Sequence, residues 1–314
     1  MKILLPLLLG VFLIWYSIYS ATPEERETTW LYISNAEPLW VILSLILGLI
    51  SHIIRAYRWN LLLNPLGYQI KVSNSFMSIM AGYLANLGIP RSGEFIRGGL
   101  VSNYEKIPFH KAFGTIISER LVDLLLLIIV ILFTLTLEFD KLYNYLGDKL
   151  THPVWTLLIV IVAIGLGILC LRLLQNSDNS IIIKIRSFGE GILEGIRSIF
   201  NMKKKGWFML LSISIWILYI LMFDVVRYTV PAISNLKLGA TLVAFVAGTL
   251  AFSTTNGGIG AYPLAIGYVL LLYNIEESAG KAFGWILWST QTALTLFFGA
   301  LSFLFLPVLN KATK

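Results

Sequence analysis

Six stretches of the chain are apolar for about the 20 residues that a bilayer span requires: 3–20, 38–58, 111–136, 153–174, 207–229 and 279–306. Two more, 74–101 and 238–273, are equally apolar but interrupted. The first carries Gly88-Ile89-Pro90-Arg91-Ser92-Gly93-Glu94, the second Thr254-Thr255-Asn256-Gly257-Gly258-Ile259-Gly260. Such clusters end helices and permit tight reversals. Each stretch therefore divides into two pieces too short to cross, and the pattern predicts two re-entrant helix–break–helix hairpins. Broken backbone is tolerated at membrane depth only where protein or a water-filled cavity surrounds it. Residues 181–200 differ again. Ile185, Phe188, Ile192, Ile196 and Ile199 recur at helical spacing opposite Lys184, Arg186, Glu190, Glu194 and Arg197, the pattern of a helix lying on the membrane surface. The fold expected is all-α: one polytopic membrane domain over 1–314, with a first span and outer loop (1–37), a unit over 38–136, a linker span and interfacial helix (137–206), and a second unit over 207–306.

Composition agrees. Of 314 residues, 57% are hydrophobic and 13% charged, with mean hydropathy +0.79, far from the roughly 25% charge of a soluble domain. A soluble enzyme is thereby excluded. The net charge of +7 comes with no basic-aromatic module that would read nucleic acid, so nucleic acid is not an expected partner. Its informative feature is sidedness. With the N-terminus cytoplasmic, 17 basic residues fall inside, among them Lys2, Arg55, Arg58, Lys71, Arg91, Arg97, Lys203, Lys204, Lys205 and Lys311, against five outside (Arg26, Lys141, Lys149, Lys237 and Lys281). The outer loops hold Glu24, Glu25, Glu27, Glu37, Glu138, Asp140 and Asp148. This positive-inside pattern holds only if each hairpin enters and leaves on one side, and it places both termini in the cytoplasm. Lys2 and the run after it also fit a signal peptide cleaved after Ser20, although Ile18 stands where a small residue is wanted. Cys170 is the only cysteine, and His52, His110 and His152 show no metal spacing, so neither a metal nor another cofactor is expected.

The chain also matches itself. Lys111-Ala112-Phe113-Gly114 recurs as Lys281-Ala282-Phe283-Gly284, Ala81-Gly82-Tyr83-Leu84-Ala85 as Ala247-Gly248-Thr249-Leu250-Ala251, and His52-Ile53-Ile54-Arg55 parallels Asp224-Val225-Val226-Arg227. The offsets of 170, 166 and 172 are collinear. On the sidedness above, the two units run in opposite directions, which makes them an inverted-topology repeat. Secondary transporters use this plan and bind substrate near the midplane, where broken helices meet. The competing reading is a duplicated scaffold without transport.

Several residues could carry chemistry. Pro90 suits the first position of a half-helix whose free N–H groups and dipole attract anions; Arg91 and Arg97 add charge suited to phosphate. In the second hairpin Thr254, Thr255 and Asn256 can cap, and Gly257, Gly258 and Gly260 allow a ligand close to the backbone. Two facing N-termini would form an anion cradle, whereas glycines serving only close helix packing would not. Glu119, Arg120 and Asp123 lie in mid-span, where charges are costly and face a cavity or one another. Arg120 can grip a phosphate while Glu119 or Asp123 takes a proton or an amine; equally, the three can neutralise one another, Arg120 reaching Asp123 at i,i+3, or pair with Arg91, Arg97 or Arg227. Asp224 and Arg227 read as a local i,i+3 pair.

The segments Arg55-Ala56-Tyr57-Arg58-Trp59-Asn60-Leu61-Leu62-Leu63, Gly82 through Arg97, Glu119-Arg120-Leu121-Val122-Asp123 and Gly257-Gly258-Ile259-Gly260 resemble the integral-membrane flippase domain of the bacterial lysylphosphatidylglycerol synthase (multiple peptide resistance factor) family and its stand-alone relatives. The resemblance covers nearly the whole chain. It implies movement of a phospholipid headgroup or other polar lipid across the cytoplasmic membrane. The inverted halves would supply alternating access, and the residue reading makes Asn86, Arg91, Glu94, Arg97, Glu119, Arg120, Asp123, Thr255, Asn256, Gly257 and Gly258 the candidate lipid contacts. In two-part relatives an aminoacyl-transferase domain follows; no such activity is expected of residues 1–314. A homo-oligomer or a separate synthase partner fits the same family. Two other classes stay open: a membrane-embedded lipid-modifying enzyme, for which no Asp-rich diphosphate motif, His pair or activated nucleophile is seen, and a non-transporting scaffold for a synthase.

Overall fold

A computed structural model describes residues 22–142, 201–255 and 257–310, together with Trp15 and Tyr19. The expected spans 3–20 (those two residues apart) and 153–174, the surface helix 181–200 and Asn256 lie outside the described residues. Among the described residues all regular structure is helical: α1 (Pro23–Ser34), α2 (Pro38–Leu63), α3 (Val72–Gly88), α4 (Gly93–Glu105), α5 (Phe109–Leu137), α6 (Lys205–Val226), α7 (Leu238–Thr254), α8 (Ala261–Leu270) and α9 (Glu277–Leu309). Four segments are long and apolar enough to cross a membrane: Pro38–Leu66, Phe109–Leu137, Lys205–Thr229 and Glu277–Leu309. They coincide with four of the six expected spans.

These helices are amphipathic in the sense a membrane demands. Along α2, Ser44, Gly48, Ser51, Arg55, Arg58 and Trp59 form one buried stripe, while Ile42, Ile46, Ile50 and Ile53 face outward. On α5 the buried positions are Ala112, Thr115, Glu119, Val122, Asp123 and Leu126, and Leu124, Leu125, Ile128, Ile129 and Leu132 are exposed. Lipid solvates the large aliphatic side chains, so the interior collects small and polar residues, the arrangement that lets membrane helices approach closely.

The two interrupted stretches are broken where expected. α3 and α4 have 17 and 13 residues, α7 and α8 have 17 and 10. In the first break Arg91 adopts φ +62°, and Ser92 donates to Ile89 O at 2.8 Å. Pro90 does not open α4. The helix starts at Gly93, because that residue packs against the α3 backbone: a Cβ on Gly82 would lie 2.8 Å from Gly93 O, and the Gly93 N–H donates to Asn86 Oδ1 at 2.7 Å. In the second break Gly257, Gly258 and Gly260 take φ of +64°, +73° and +70°, a region side chains rarely enter. Thr254 and Thr255 do not cap α8; their hydroxyls donate back to Leu250 O and Ala251 O within α7, leaving Gly260 as the N-cap residue. The glycine matched to Gly82, Gly248, is again where the second half-helix closes: a Cβ there would lie 2.8 Å from Tyr262.

Contacts between helices come in matching pairs. α2 lies against α6, α3 against α9 as α7 against α5, and α4 against α5 as α8 against α9. α2 and α6 run antiparallel, since Ser44 donates to Met222 O at 3.0 Å and Arg58 to Ser212 Oγ at 2.9 Å. Phe223 packs edge-on to Phe245 and Phe283 in the core between them. At one end of the bundle Asn74 at the start of α3 meets Asn310 after α9 (2.9 and 3.0 Å) and Glu105 at the end of α4 (2.7 Å). At the other, Glu138 after α5 abuts Gly239 at the start of α7 and accepts from Tyr273, just beyond α8, at 3.1 Å; Lys141 Nζ lies 4.2 Å from the Tyr273 ring centre. The two clusters join corresponding helix ends.

Candidate functional site

Between α2, α4, α5 and α6 lies a buried network of ions. Arg55 Nη1 donates to Glu119 Oε1 at 2.5 Å and to Asp123 Oδ2 at 2.9 Å, and its Nη2 donates to Tyr219 Oη at 2.9 Å. Arg58 bonds Asp123 Oδ1 at 3.0 Å and pairs with Glu119 at 3.0 Å. Arg97 Nη2 bonds Glu119 Oε2 at 2.8 Å, with its guanidinium 3.8 Å above the Trp59 ring. Trp59 is fixed in turn by donation to Thr115 Oγ1 at 2.8 Å. The positions follow from helix geometry: Glu119 and Asp123 share a face of α5 at i,i+4, and Arg55 and Arg58 share a face of α2 at i,i+3.

Three guanidiniums thus meet two carboxylates, so the network carries one excess positive charge in a buried place. Nor are its donors satisfied. Arg97 Nε and Nη1, Arg55 Nε and Arg58 Nε are buried with no hydrogen-bond partner among the described residues. Leaving such groups unpaired costs stability and marks a place where a further acceptor is favoured. The Arg97 side chain lines a narrow cleft with Ile79, Gly82, Tyr83, Asn86, Gly93, Glu94 and Arg120. Its volume, about 10 Å³, is room for one water. At the rim Arg120 pairs with Glu94 at 3.1 Å, both partly exposed.

The structure therefore gathers Asn86, Glu94, Arg97 and Arg120 at one cleft and sets Glu119 and Asp123 directly behind it. Arg120 faces Glu94 rather than Asp123, because Asp123 is taken by the two arginines of α2. Arg91 is exposed on the turn and does not line the cleft. Thr255, Gly257 and Gly258 belong to the second break. There Trp288 donates to Gly257 O at 2.8 Å, and a Cβ on Gly258 would meet Phe252 and Tyr262 at 3.0 and 3.1 Å, so aromatic packing already occupies the space beside these glycines. The two breaks do approach, for a Cβ on Gly257 would lie 3.3 Å from Leu87 near the end of α3. Asp224 and Arg227 form the expected local pair at 3.2 Å.

Arg55 and Arg58 were not among the expected contacts; both count as cytoplasmic by position, yet they are 2% and 0% exposed at the heart of the network. Arg97, 3% exposed, likewise leaves the set of surface cations. The missed signal was the continuation of the Ser44, Gly48, Ser51 stripe into Arg55, which marks that face as interior. Among the described residues no three His, Cys, Asp or Glu side chains are grouped to hold a metal.

Long apolar spans around a charged, protein-enclosed site define a polytopic helical membrane protein with a buried polar centre. The family described as lysylphosphatidylglycerol synthase TM region matches residues 3–308, and the chain belongs to that family. It is similar to the UPF0104 membrane protein MJ1595 of Methanocaldococcus jannaschii, 26% identical over 271 residues with 79% of each chain covered. No solved structure matches it.

Proposed function

We propose that this protein is a lipid flippase of the cell membrane, moving a phosphate-containing polar lipid by alternating access of two inverted halves. The observation that carries the reading is the buried arginine excess: Arg97, with two unpartnered nitrogens, lines a cleft at the start of a half-helix, and a phosphate drawn in there would complete both charge and hydrogen bonding. Arg120 would join it on leaving Glu94, and Glu94, then unpaired, suits a headgroup amine. Antiparallel α2 and α6, and the matching pairs of helix contacts, support the inversion. A 10 Å³ cleft is too small for a headgroup, so transport requires α4 to part from α3 or α5.

In vesicles containing phosphatidylglycerol, the purified chain should accelerate headgroup translocation. Arg120→Ala combined with Arg97→Lys should lower the rate by at least about 10- to 100-fold, as expected for losing the equivalent of one hydrogen bond to a charged group at about 1.5–3 kcal/mol. Arg91→Ala should leave it near wild type. Equal rates in all three proteins would discard the site.

The clusters at the two ends behave as opposing latches in this scheme. With Cys170→Ser and a reporter Ile79→Cys in the cleft, Tyr273→Phe with Glu138→Gln should expose the reporter to an impermeant thiol reagent from the outer face only. Asn74→Leu should expose it from the inner face only. Exposure from one face in both variants contradicts alternation.

A further inference from the structure

A second concavity lies outside the ion network. Ile42, Leu45, Ile46 and Leu49 of α2 face Ala293, Leu294, Phe297 and Phe298 of α9 across a groove of about 310 Å³. Every one of these side chains is apolar, yet beneath them the α2–α9 contact is polar: Gln291 donates to Ser44 Oγ at 3.3 Å, and its Oε1 would lie 2.9 Å from a Cβ on Gly48. The missing side chain at Gly48 lets the Gln291 amide tuck under the groove, so the open face stays wholly hydrocarbon. The groove opens laterally, with Ile42, Ile46 and Phe297 about half exposed.

Its position connects it to the cleft. One turn beyond Leu49 on α2, His52 packs its ring on Tyr83, centroids 5.3 Å apart, and Tyr83 lines the cleft. On the α9 side Phe298 packs edge-on to Phe76 of α3, two turns before Tyr83 on the same helix. His52, one turn past the groove, and Tyr83, on the cleft, thus link the hydrocarbon groove to the cationic cleft.

We infer that this groove is the acyl-chain site of the transported lipid, holding one hydrocarbon chain between α2 and α9 while the phosphate occupies the cleft beyond the His52–Tyr83 pair. The inference rests on the flippase reading for its headgroup and adds where the hydrophobic part of the substrate travels. A chain held at the junction of the two units would move with the headgroup instead of trailing through bulk lipid. Chain length and saturation would then affect the rate, which a headgroup-only pathway would not show.

The test uses the full-length protein in phosphatidylglycerol vesicles doped with a phospholipid bearing a photoactivatable group midway along one chain. Labelled peptides are located by mass spectrometry. Labelling of the α2 and α9 groove peptides should exceed that of the equally lipid-exposed α5 segment around Leu125 and Ile129 by about tenfold, about 1.4 kcal/mol of preference. It should fall several-fold in Arg120→Ala, because headgroup and chain belong to one molecule. Ala293→Trp, at an exposed position, should fill the groove without disturbing the fold, abolish the preferential labelling and slow lipid translocation. Labelling no greater than on α5, or unchanged by Arg120→Ala, would show ordinary boundary lipid and overturn the inference even where the wild type transports. Preferential labelling sensitive to Arg120→Ala, with no translocation by the wild type, would retain the site and reject transport.

Discussion

Replacing Glu119 by Gln should destabilise the protein by about 3–5 kcal/mol, the range for removing one partner of a buried ion pair. Glu119 is fully buried and is the shared acceptor for Arg55, Arg58 and Arg97. In the variant, three guanidiniums would face the single carboxylate of Asp123, and the new amide would turn N–H donors toward N–H donors. Water cannot screen them at that depth, and hydrocarbon offers no partner. Asp123→Asn should cost less, because Asp123 is 8% exposed and Arg97 keeps its carboxylate. The decisive measurement is the double variant Glu119→Gln with Arg97→Gln, which restores the original charge excess. Tryptophan-fluorescence melting in detergent should show it recovering part of the loss, a coupling that a double-mutant cycle isolates. If Glu119→Gln melts with the wild type, charge does not hold this network together.

The same residues show what a sequence can disclose. The spans were legible because a bilayer imposes length and apolarity directly, and the breaks because glycine and proline act locally. Glu119 and Asp123 were legible as charges inside an apolar span that must find partners. Their partners were harder. Arg55 and Arg58 sit near the end of an apolar run, where an arginine that snorkels to the interface and one that turns inward share the same position in the chain. The buried stripe of Ser44, Gly48 and Ser51 distinguishes the two, but only once α2 is seen to press that face against α6. Arg120 choosing Glu94 over Asp123 is a matter of competition: the i,i+3 pairing is available, and the α2 arginines win Asp123 because burial strengthens their bonds more than a rim pair gains. The second hairpin misled for a related reason. Its threonines and glycines are those of a ligand loop, yet the space beside them holds Trp288, Phe252 and Tyr262, contributed by neighbouring turns and by α9. Sequence displays the demand of each residue; which neighbour meets it is decided in three dimensions.

Substituting Gly93 by Ala should cost about 1–3 kcal/mol, the usual range for overpacking, and should remove transport. The added methyl would clash with the Gly82 carbonyl oxygen and lie 2.6 Å from Asn86 Nδ2. Asn86 can swing away only by releasing the Gly93 N–H, and the Gly82 carbonyl is part of the α3 helix, so α4 must retreat. Arg97 lies one turn along α4, and its retreat would lengthen the 2.8 Å bond to Glu119 and draw the guanidinium off the Trp59 ring. The loss of transport would therefore arise from a displaced arginine, with every charge still present. Gly82→Ala, whose Cβ would meet Gly93 O at 2.8 Å, should reproduce it from the opposite side of the contact. Gly99 is the control: it lies within α4, nothing stands within 4 Å of its Cβ position, and Ala there should leave transport intact while gaining up to about 1 kcal/mol of helix propensity. Were Gly93→Ala and Gly99→Ala to transport alike, the close seam between α3 and α4 would have no part in holding Arg97, and the cleft would need a different wall.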